Sequence, residues 1–242
     1  PVTSTLMGLG AFPASSEQWL GMLGMHGTYE ANWAMHDCDV MICIGARFDD
    51  RVTGKLSGFS PDSKKIHVDI DASSINKNVQ VDVPIVGDAG SVIKAMRAAW
   101  KAQKTKPAAK DLDAWWKQIE LWRARKSFGY KQGKDIIKPQ YAVDRLYELT
   151  KAQSPYFTTD VGQHQMWVAQ AYPLRRARQW LTSGGLGTMG FGIPAAIGAS
   201  LAEPRRTVVC FTGDGSIRIE RAMFLPLRPG AQPKTEPHQP PV

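Results

Sequence analysis

The sequence predicts an α/β protein made of two doubly wound parallel-sheet domains, and three observations carry that expectation. Short apolar runs rich in β-branched residues recur along the chain, at Asp39–Gly45 (DVMICIG), Lys65–Asp71 (KIHVDID), Val83–Val86, Tyr156–Asp160 and Thr207–Thr212 (TVVCFT). Each ends in glycine or acidic residues, and most are followed by a segment with helical periodicity. Strand, loop and helix alternate in this way when the strands lie parallel and the helices cover the sheet.

Taken in order, Val2–Met7 reads as a strand closed by Gly8 and Gly10, and Leu23–Thr28 (LGMHGT) reads as a loop before a helix over Tyr29–Asp37. His26 in that loop reads as a hydrogen-bonding residue of the structure. The strand Asp39–Gly45 empties into Ala46-Arg47-Phe48-Asp49-Asp50-Arg51-Val52. Charged residues after a parallel strand suit a ligand crevice. Arg47 and Arg51 could grip a phosphate or pair with Asp49 and Asp50, and the residues alone leave both readings open. Lys65–Asp71 ends in acids, and Val83–Val86 leads to Gly87-Asp88-Ala89, with Asp88 capping a helix from Ala89 to about Gln103. The G-x-G-x-x-G fingerprint is missing from this half.

Lys104–Lys110 reads as a linker. Trp115, Trp116, Ile119 and Trp122 form an apolar stripe on a packing helix within Leu112–Phe128. A second amphipathic helix covers Lys138–Lys151, starting beside Pro139. The strand Tyr156–Asp160 turns through Val161-Gly162-Gln163-His164 into a helix, whose N-terminal amides would favour phosphate. A strand over Gln179–Thr182 leads to the densest glycine stretch of the chain, Leu181–Ser216. There Gly184, Gly185, Gly187, Gly190 and Gly192 flank Met189. The helix Ile193–Leu201 follows, apolar enough to be expected buried on most sides. Gly213-Asp214-Gly215-Ser216 then closes the strand Thr207–Thr212. Asp214, at a strand's carboxyl end between two glycines, is a hard oxygen donor suited to Mg²⁺ beside a phosphate.

The wording SGGLGTMGFGIPAAIGA, together with DVGQHQMW at Asp160–Trp167, resembles the acetolactate synthase large-subunit family of thiamine-diphosphate enzymes. The likeness runs from Pro1 to about Ser216, close to nine-tenths of the chain. It implies four segments. Residues 1–103 are the later part of a middle, Rossmann-like domain that contacts FAD. Residues 104–137 are a linker with its packing helix. Residues 138–216 are the first part of the diphosphate-binding domain. Residues 217–242 are an anomalous tail. Both domains are expected to be incomplete, and the chain to be an internal fragment.

The resemblance further implies thiamine-diphosphate contacts at Val161, Gly162, Gln163, His164, Gly187, Met189, Gly213, Gly215 and Ser216, with Asp214 on the metal. In the family the backbone at Gly187 faces the aminopyrimidine, and Met189 is the apolar wedge that bends the cofactor; these two positions are the catalytic ones this chain carries. The FAD contacts implied are Thr5, Leu6, Met7, Leu23, Gly24, Met25, His26, Gly45, Ala46, Arg47, Asp49, Arg51, Val52, Asp69, Ile70, Asp88 and Ala89. The implied activity is the decarboxylating condensation of two pyruvates, or of pyruvate with 2-oxobutyrate, in branched-chain amino-acid (valine and isoleucine) biosynthesis. The implied assembly is a homodimer or larger, with a regulatory small subunit as a further partner. Two alternatives stand beside it: a sister thiamine-diphosphate enzyme of the pyruvate oxidase or oxoacid decarboxylase type, and a non-catalytic cofactor-binding or assembly module.

Three departures from the family bear on activity. The family's catalytic glutamate lies in an N-terminal domain not represented here. A second metal ligand, an Asn expected roughly thirty residues after Asp214, has no counterpart, because no Asn follows Asn78. After Ser216 the pattern gives way to a tail with six prolines in Ile217–Val242, expected to be disordered. The chain by itself is therefore expected to be inactive.

Composition narrows the rest. Net charge is +8, but the lysines of Lys101–Lys110 and Lys126–Lys138 lack interleaved aromatics or a nucleic-acid motif, so they read as solvated faces. No apolar run reaches the ~18 residues of a membrane span. Cys38, Cys43 and Cys210 lack metal-ligand spacing. Cys43 and Cys210 lie in strand runs and are expected to be buried, which fits a reducing cytoplasm.

Overall fold

The computed structural model describes residues 1–104 and 108–224. It is α/β, every strand pair is parallel, and it divides into two compact units. The first is Pro1–Ile136 with Ala169–Ala177; the second is Ile137–Val168 with the chain from Arg178 onward.

In the first unit β1 (Val2–Ser4) pairs with β2 (Trp19–Met22). The expected strand to Met7 ends early. The Thr5 hydroxyl accepts from Gly8 N and closes a 3₁₀ turn over Leu6–Gly8. Thr28 caps α1 (Tyr29–Asp37) by accepting from Ala31 N, and the same hydroxyl donates to Leu20 O at 2.6 Å. One side chain thus ends a loop, starts a helix and ties that helix to β2.

A three-stranded sheet follows in the order β3 (Val40–Ile44), β4 (Lys64–Asp69), β5 (Val83–Val86), with α2 (Asp50–Thr53) between the first two strands. One face of the edge strand β3 is open, with Val40, Ile42 and Ile44 each 40–51% exposed. Asp88 caps α3 (Ala89–Ala102) through Ser91 N. The helix α4 (Asp113–Arg123) is the packing helix that the apolar stripe predicts. Ile119 and Trp122 pack with Leu20, Ala31 and Ala34 in this unit's core. Arg123 donates to Glu17 O at 2.7 Å and Trp19 O at 2.8 Å, fastening α4 to the start of β2. Of the expected linker, residues 105–107 lie outside the described residues.

The second unit begins with α5 (Pro139–Thr150), whose Pro139 occupies the first turn, where no amide donor is needed. The strands β6 (Tyr156–Thr159), β7 (Trp180–Thr182) and β8 (Val208–Phe211) form a sheet in the order β7-β6-β8. Phe157, on the central strand, is fully buried and stacks on Phe211. The helix α6 (Gln163–Ala171) follows β6, and α7 (Gly192–Ala202) packs on β6 and β8. Contrary to expectation α7 is not buried on most sides: only Gly192 is buried, and Leu201 is 76% exposed. One face meets the sheet, and nothing among the described residues covers the other.

The tail also differs from expectation. Residues 217–224 are helical, as part of α8 (Asp214–Phe224). Glu220 in that helix is buried and accepts from Ile193 N, supplying α7 with the N-terminal acceptor its own sequence lacks. The predicted disorder of residues 225–242 lies outside the described residues. The three cysteines are free and half-buried, less enclosed than expected for Cys43 and Cys210.

Candidate functional site

The second unit gathers three turns at the carboxyl ends of its parallel strands. The first is Val161–Gly162 after β6, the second the Gly184–Gly192 stretch after β7, the third Gly213–Ser216 after β8. The centre of the gathering is Asp160, fully buried. Its Oδ1 accepts from Val161 N at 2.7 Å and from Ser216 Oγ at 2.7 Å. Its Oδ2 accepts from Gly190 N and Gly192 N, both at 2.9 Å. Burial pushes this carboxyl up. The bonds from Gly192, Ser216, Val161 and Gly190 outweigh that, and it titrates below the usual carboxylate range. A buried pair of hydroxyls, Thr159 and Thr182 at 2.7 Å, lies at the ends of β6 and β7, and Gln165 Nε2 donates to Thr182.

The residues singled out from sequence face one another across these turns. The His164 imidazole lies 3.0–3.2 Å from where a Cβ on Gly162 or Gly213 would stand, and Gly162, at φ +150°, is also in a conformation that favours glycine. Among the described residues the His164 Nε2 is buried without a partner, and burial lowers the imidazole's pKa against the pull of Asp160. Gly187, at φ +67°, places its missing Cβ 3.9 Å from Val161 Cγ1. Met189 is 45% exposed, so it is no core residue, and its Cε lies 3.5 Å from the Cβ position of Gly215. Gln163 opens α6 and is exposed. Asp214 opens α8 with an exposed carboxylate.

The space between the turns is lined by glycines, strand ends and helix starts, where main-chain amides are open to approach. The metal set is smaller. Among the described residues no group of three His, Cys, Asp or Glu is placed to hold an ion. Asp214 offers one hard oxygen.

In the first unit the other candidate residues fall at two places. Leu23 N donates to Ser4 O beside Thr5, Leu6 and Met7; Met25 N donates to Arg51 O at 2.8 Å beside Val52. Gly24, at φ +94°, is pressed against that same carbonyl, 2.6 Å from its Cβ position, while the Asn32 side chain bonds both its amide and its carbonyl. His26 is exposed, and its carbonyl accepts from Gln170. The second place is the carboxyl edge of the sheet, with Gly45 and Ala46 after β3, Asp69 and Ile70 ending β4, and Asp88 and Ala89 after β5. Arg47 pairs with Asp49 at 3.2 Å and Arg51 stands 3.9 Å from Asp50, all four side chains open to solvent to some degree. The local ion pairs left open by the sequence are therefore formed.

Comparison with known proteins agrees with this geometry. Residues 1–96 match the family described as thiamine pyrophosphate enzyme, central domain, and residues 160–223 match thiamine pyrophosphate enzyme, C-terminal TPP binding domain. The acetolactate synthase isozyme 3 large subunit of Escherichia coli is 52% identical over 219 residues, 90% of this chain and 38% of that protein. The large subunit of Haemophilus influenzae shares the same figures. The chain is thus a homologue of acetolactate synthase large subunits over nine-tenths of its length, with thiamine pyrophosphate enzyme domains in both halves. A chloroplastic acetolactate synthase of Nicotiana tabacum is 48% identical over 216 residues, 89% of this chain and 32% of that protein.

The chain thus spans 38% of the length of the bacterial relatives it matches. The family match reaches residue 223, past the point after Ser216 where the sequence reading ended the likeness. The buried, helix-capping Glu220 is the structural counterpart of that extension. No helix among the described residues is long and apolar enough to cross a membrane.

Two residues at this site carried no local signal. Asp160 reads in sequence as a strand-end acid, and its donors stand up to 56 positions away. Glu220 sits in a segment that looked foreign to the pattern. A buried carboxylate shows itself only once its distant donors are brought to it.

Proposed function

We propose that the second unit holds the diphosphate of thiamine diphosphate, with Mg²⁺, in the cleft formed by its three turns, and that the whole protein is an acetolactate synthase. The observation that carries the reading is the convergence of the Gly162, Gly187–Met189 and Gly213–Ser216 turns around buried Asp160. The amides of Gly162, Gln163, Gly213 and Gly215 donate to the diphosphate, the His164 side chain adds a donor, and Asp214 gives the metal one carboxylate oxygen. Met189 presents an apolar side chain beside Gly215 on which the cofactor rests, and the backbone at Gly187 meets its pyrimidine. Bound thiamine diphosphate supplies the carbon nucleophile for joining two 2-oxo acids with loss of carbon dioxide. The protein's part is to bind, orient and exclude water.

FAD is assigned to the first unit, at the strand-end residues Gly45–Val52, Asp69–Ile70 and Asp88–Ala89 and the loops Thr5–Met7 and Leu23–His26. Its phosphates would compete with Asp49 and Asp50 for Arg47 and Arg51. Pyruvate and 2-oxobutyrate are the substrates, branched-chain amino acids the destination, a homodimer or larger the assembly with a regulatory small subunit, and the cytoplasm the location.

The test is acetolactate formation from pyruvate by the full-length protein supplied with thiamine diphosphate, Mg²⁺ and FAD. Turnover that disappears when Asp214 becomes Ala supports the reading. A full-length protein that consumes pyruvate without making acetolactate overturns it.

A further inference from the structure

Asp160 is bonded in a way that separates it from the groups that touch a cofactor. A carboxylate has about four acceptor positions, and all four are filled here by donors of the protein itself: Val161 N, Ser216 Oγ, Gly190 N and Gly192 N. None remains for a metal or a phosphate, and the buried Glu220 carboxyl lies beside it. The donors come from all three turns of the cleft, 1, 30, 32 and 56 residues away in sequence. Two of them stand one and three residues after Met189, and one stands two residues after Asp214. The fit is close: a Cβ on Gly192 would lie 2.8 Å from Asp160 N.

We propose that Asp160 is a positioning residue, whose buried carboxylate sets the spacing of the three turns and thereby the placement of Met189 and Asp214 toward the cofactor. This rests on the thiamine-diphosphate reading of the cleft. Each turn is rich in glycine and on its own has many conformations available. A single anion accepting from all of them selects one arrangement, and charge-assisted bonds are the strong kind. The isosteric amide cannot replace it. In Asp160→Asn the amide nitrogen cannot accept, so either the Gly190 and Gly192 amides or the Val161 amide loses its partner, while the Ser216 hydroxyl can turn to accept.

The experiment uses the 242-residue chain with D160N and S216A, in two arms. The first arm is amide hydrogen exchange without cofactor. D160N is expected to speed exchange at residues 187–192 and 213–217 by about tenfold or more, the loss of one such bond, with β6, β7 and β8 changed far less. S216A, which removes one of the four donors, is expected to speed exchange at 213–217 alone. The second arm titrates thiamine diphosphate with Mg²⁺, and D160N is expected to weaken binding by about tenfold or more.

Exchange rising equally in the turns and throughout the three strands would mean a plain packing role and overturn the proposal. So would unchanged exchange in the turns, or cofactor affinity equal to wild type. If D160N does not fold, S216A decides: faster exchange at 213–217 supports the proposal, and no change there refutes it. If the wild-type chain takes up no thiamine diphosphate, the cofactor reading fails, while the exchange arm still decides whether Asp160 holds the turns.

Discussion

Two glycines of one helix should respond in opposite directions to the same substitution. Gly192 and Gly198 both lie in α7, and Ala is the better helix former by about 1 kcal/mol in a helix interior. At Gly198 an added Cβ meets nothing within 4 Å, so Gly198→Ala should stabilise by about 0.5–1 kcal/mol. At Gly192 the added Cβ would stand 2.8 Å from Asp160 N and 3.1 Å from Asp160 Cβ. The obstructing atoms are main chain and cannot swing aside as a side-chain tip would. Overpacking of this kind costs about 1–3 kcal/mol, and the first helical position recovers little of it through propensity. The two variants should therefore differ by about 1.5–4 kcal/mol. Urea unfolding read by exchange protection of β6 measures this in the second unit alone. With a slope of about 1–3 kcal/mol per molar, the midpoints should separate by roughly 0.5 M or more. Equal midpoints, or Gly192→Ala the more stable, would refute the packing of α7 against Asp160.

Three further outcomes follow from the same structure. Ile119→Ala, which empties a fully buried position between α4 and α1, should destabilise the first unit by about 2–5 kcal/mol in urea unfolding; a surface-sized effect would return α4 to the status of a linker helix. Burial raises the Cys43 thiol to about 11 from the ordinary 9.0, so between those values the unfolded chain releases a proton that the folded chain keeps. Stability should be unaffected by this group below pH 9 and fall as pH rises toward 11, and Cys43→Ala should flatten that slope. Burial also raises the Glu220 carboxyl, against the bond from Ile193 and with the charge of Asp160 adding to the rise. Stability is then lost as pH climbs above the ordinary carboxylate range. Glu220→Gln, which keeps an oxygen for Ile193 N, should be more favourable at pH 7 than at pH 4.5 relative to wild type; a variant equally affected at both would contradict a raised Glu220.

The elements that sequence alone placed well are those whose causes are local. Thr28 before Tyr29–Asp37, Asp88 before α3 and Pro139 at the start of α5 each stand beside the helix they begin. The three turns of the cleft were legible for the same reason: glycines cluster in sequence wherever backbone must come close to something. What escaped was set at a distance. The strand β2 contains Gly21 at φ +99°, a conformation that exists because Thr28 fills the space a side chain would need. The stripe of α4 marked it as a packing helix, but its partners Leu20, Ala31 and Ala34 stand far upstream of it. The solvent exposure of α7 is invisible in a run of Ala and Ile, whose composition suits a buried helix regardless of what surrounds it.

The central claim is that one cofactor's diphosphate touches all three turns at once. Nuclear magnetic resonance titration of the chain with thiamine diphosphate and Mg²⁺, reading backbone amides, tests it most directly. The account predicts saturable shifts at Gly162, Gly187–Gly190 and Gly213–Ser216 with one common binding constant, lost together in Asp214→Ala. Shifts at one of these turns with the other two silent would contradict it.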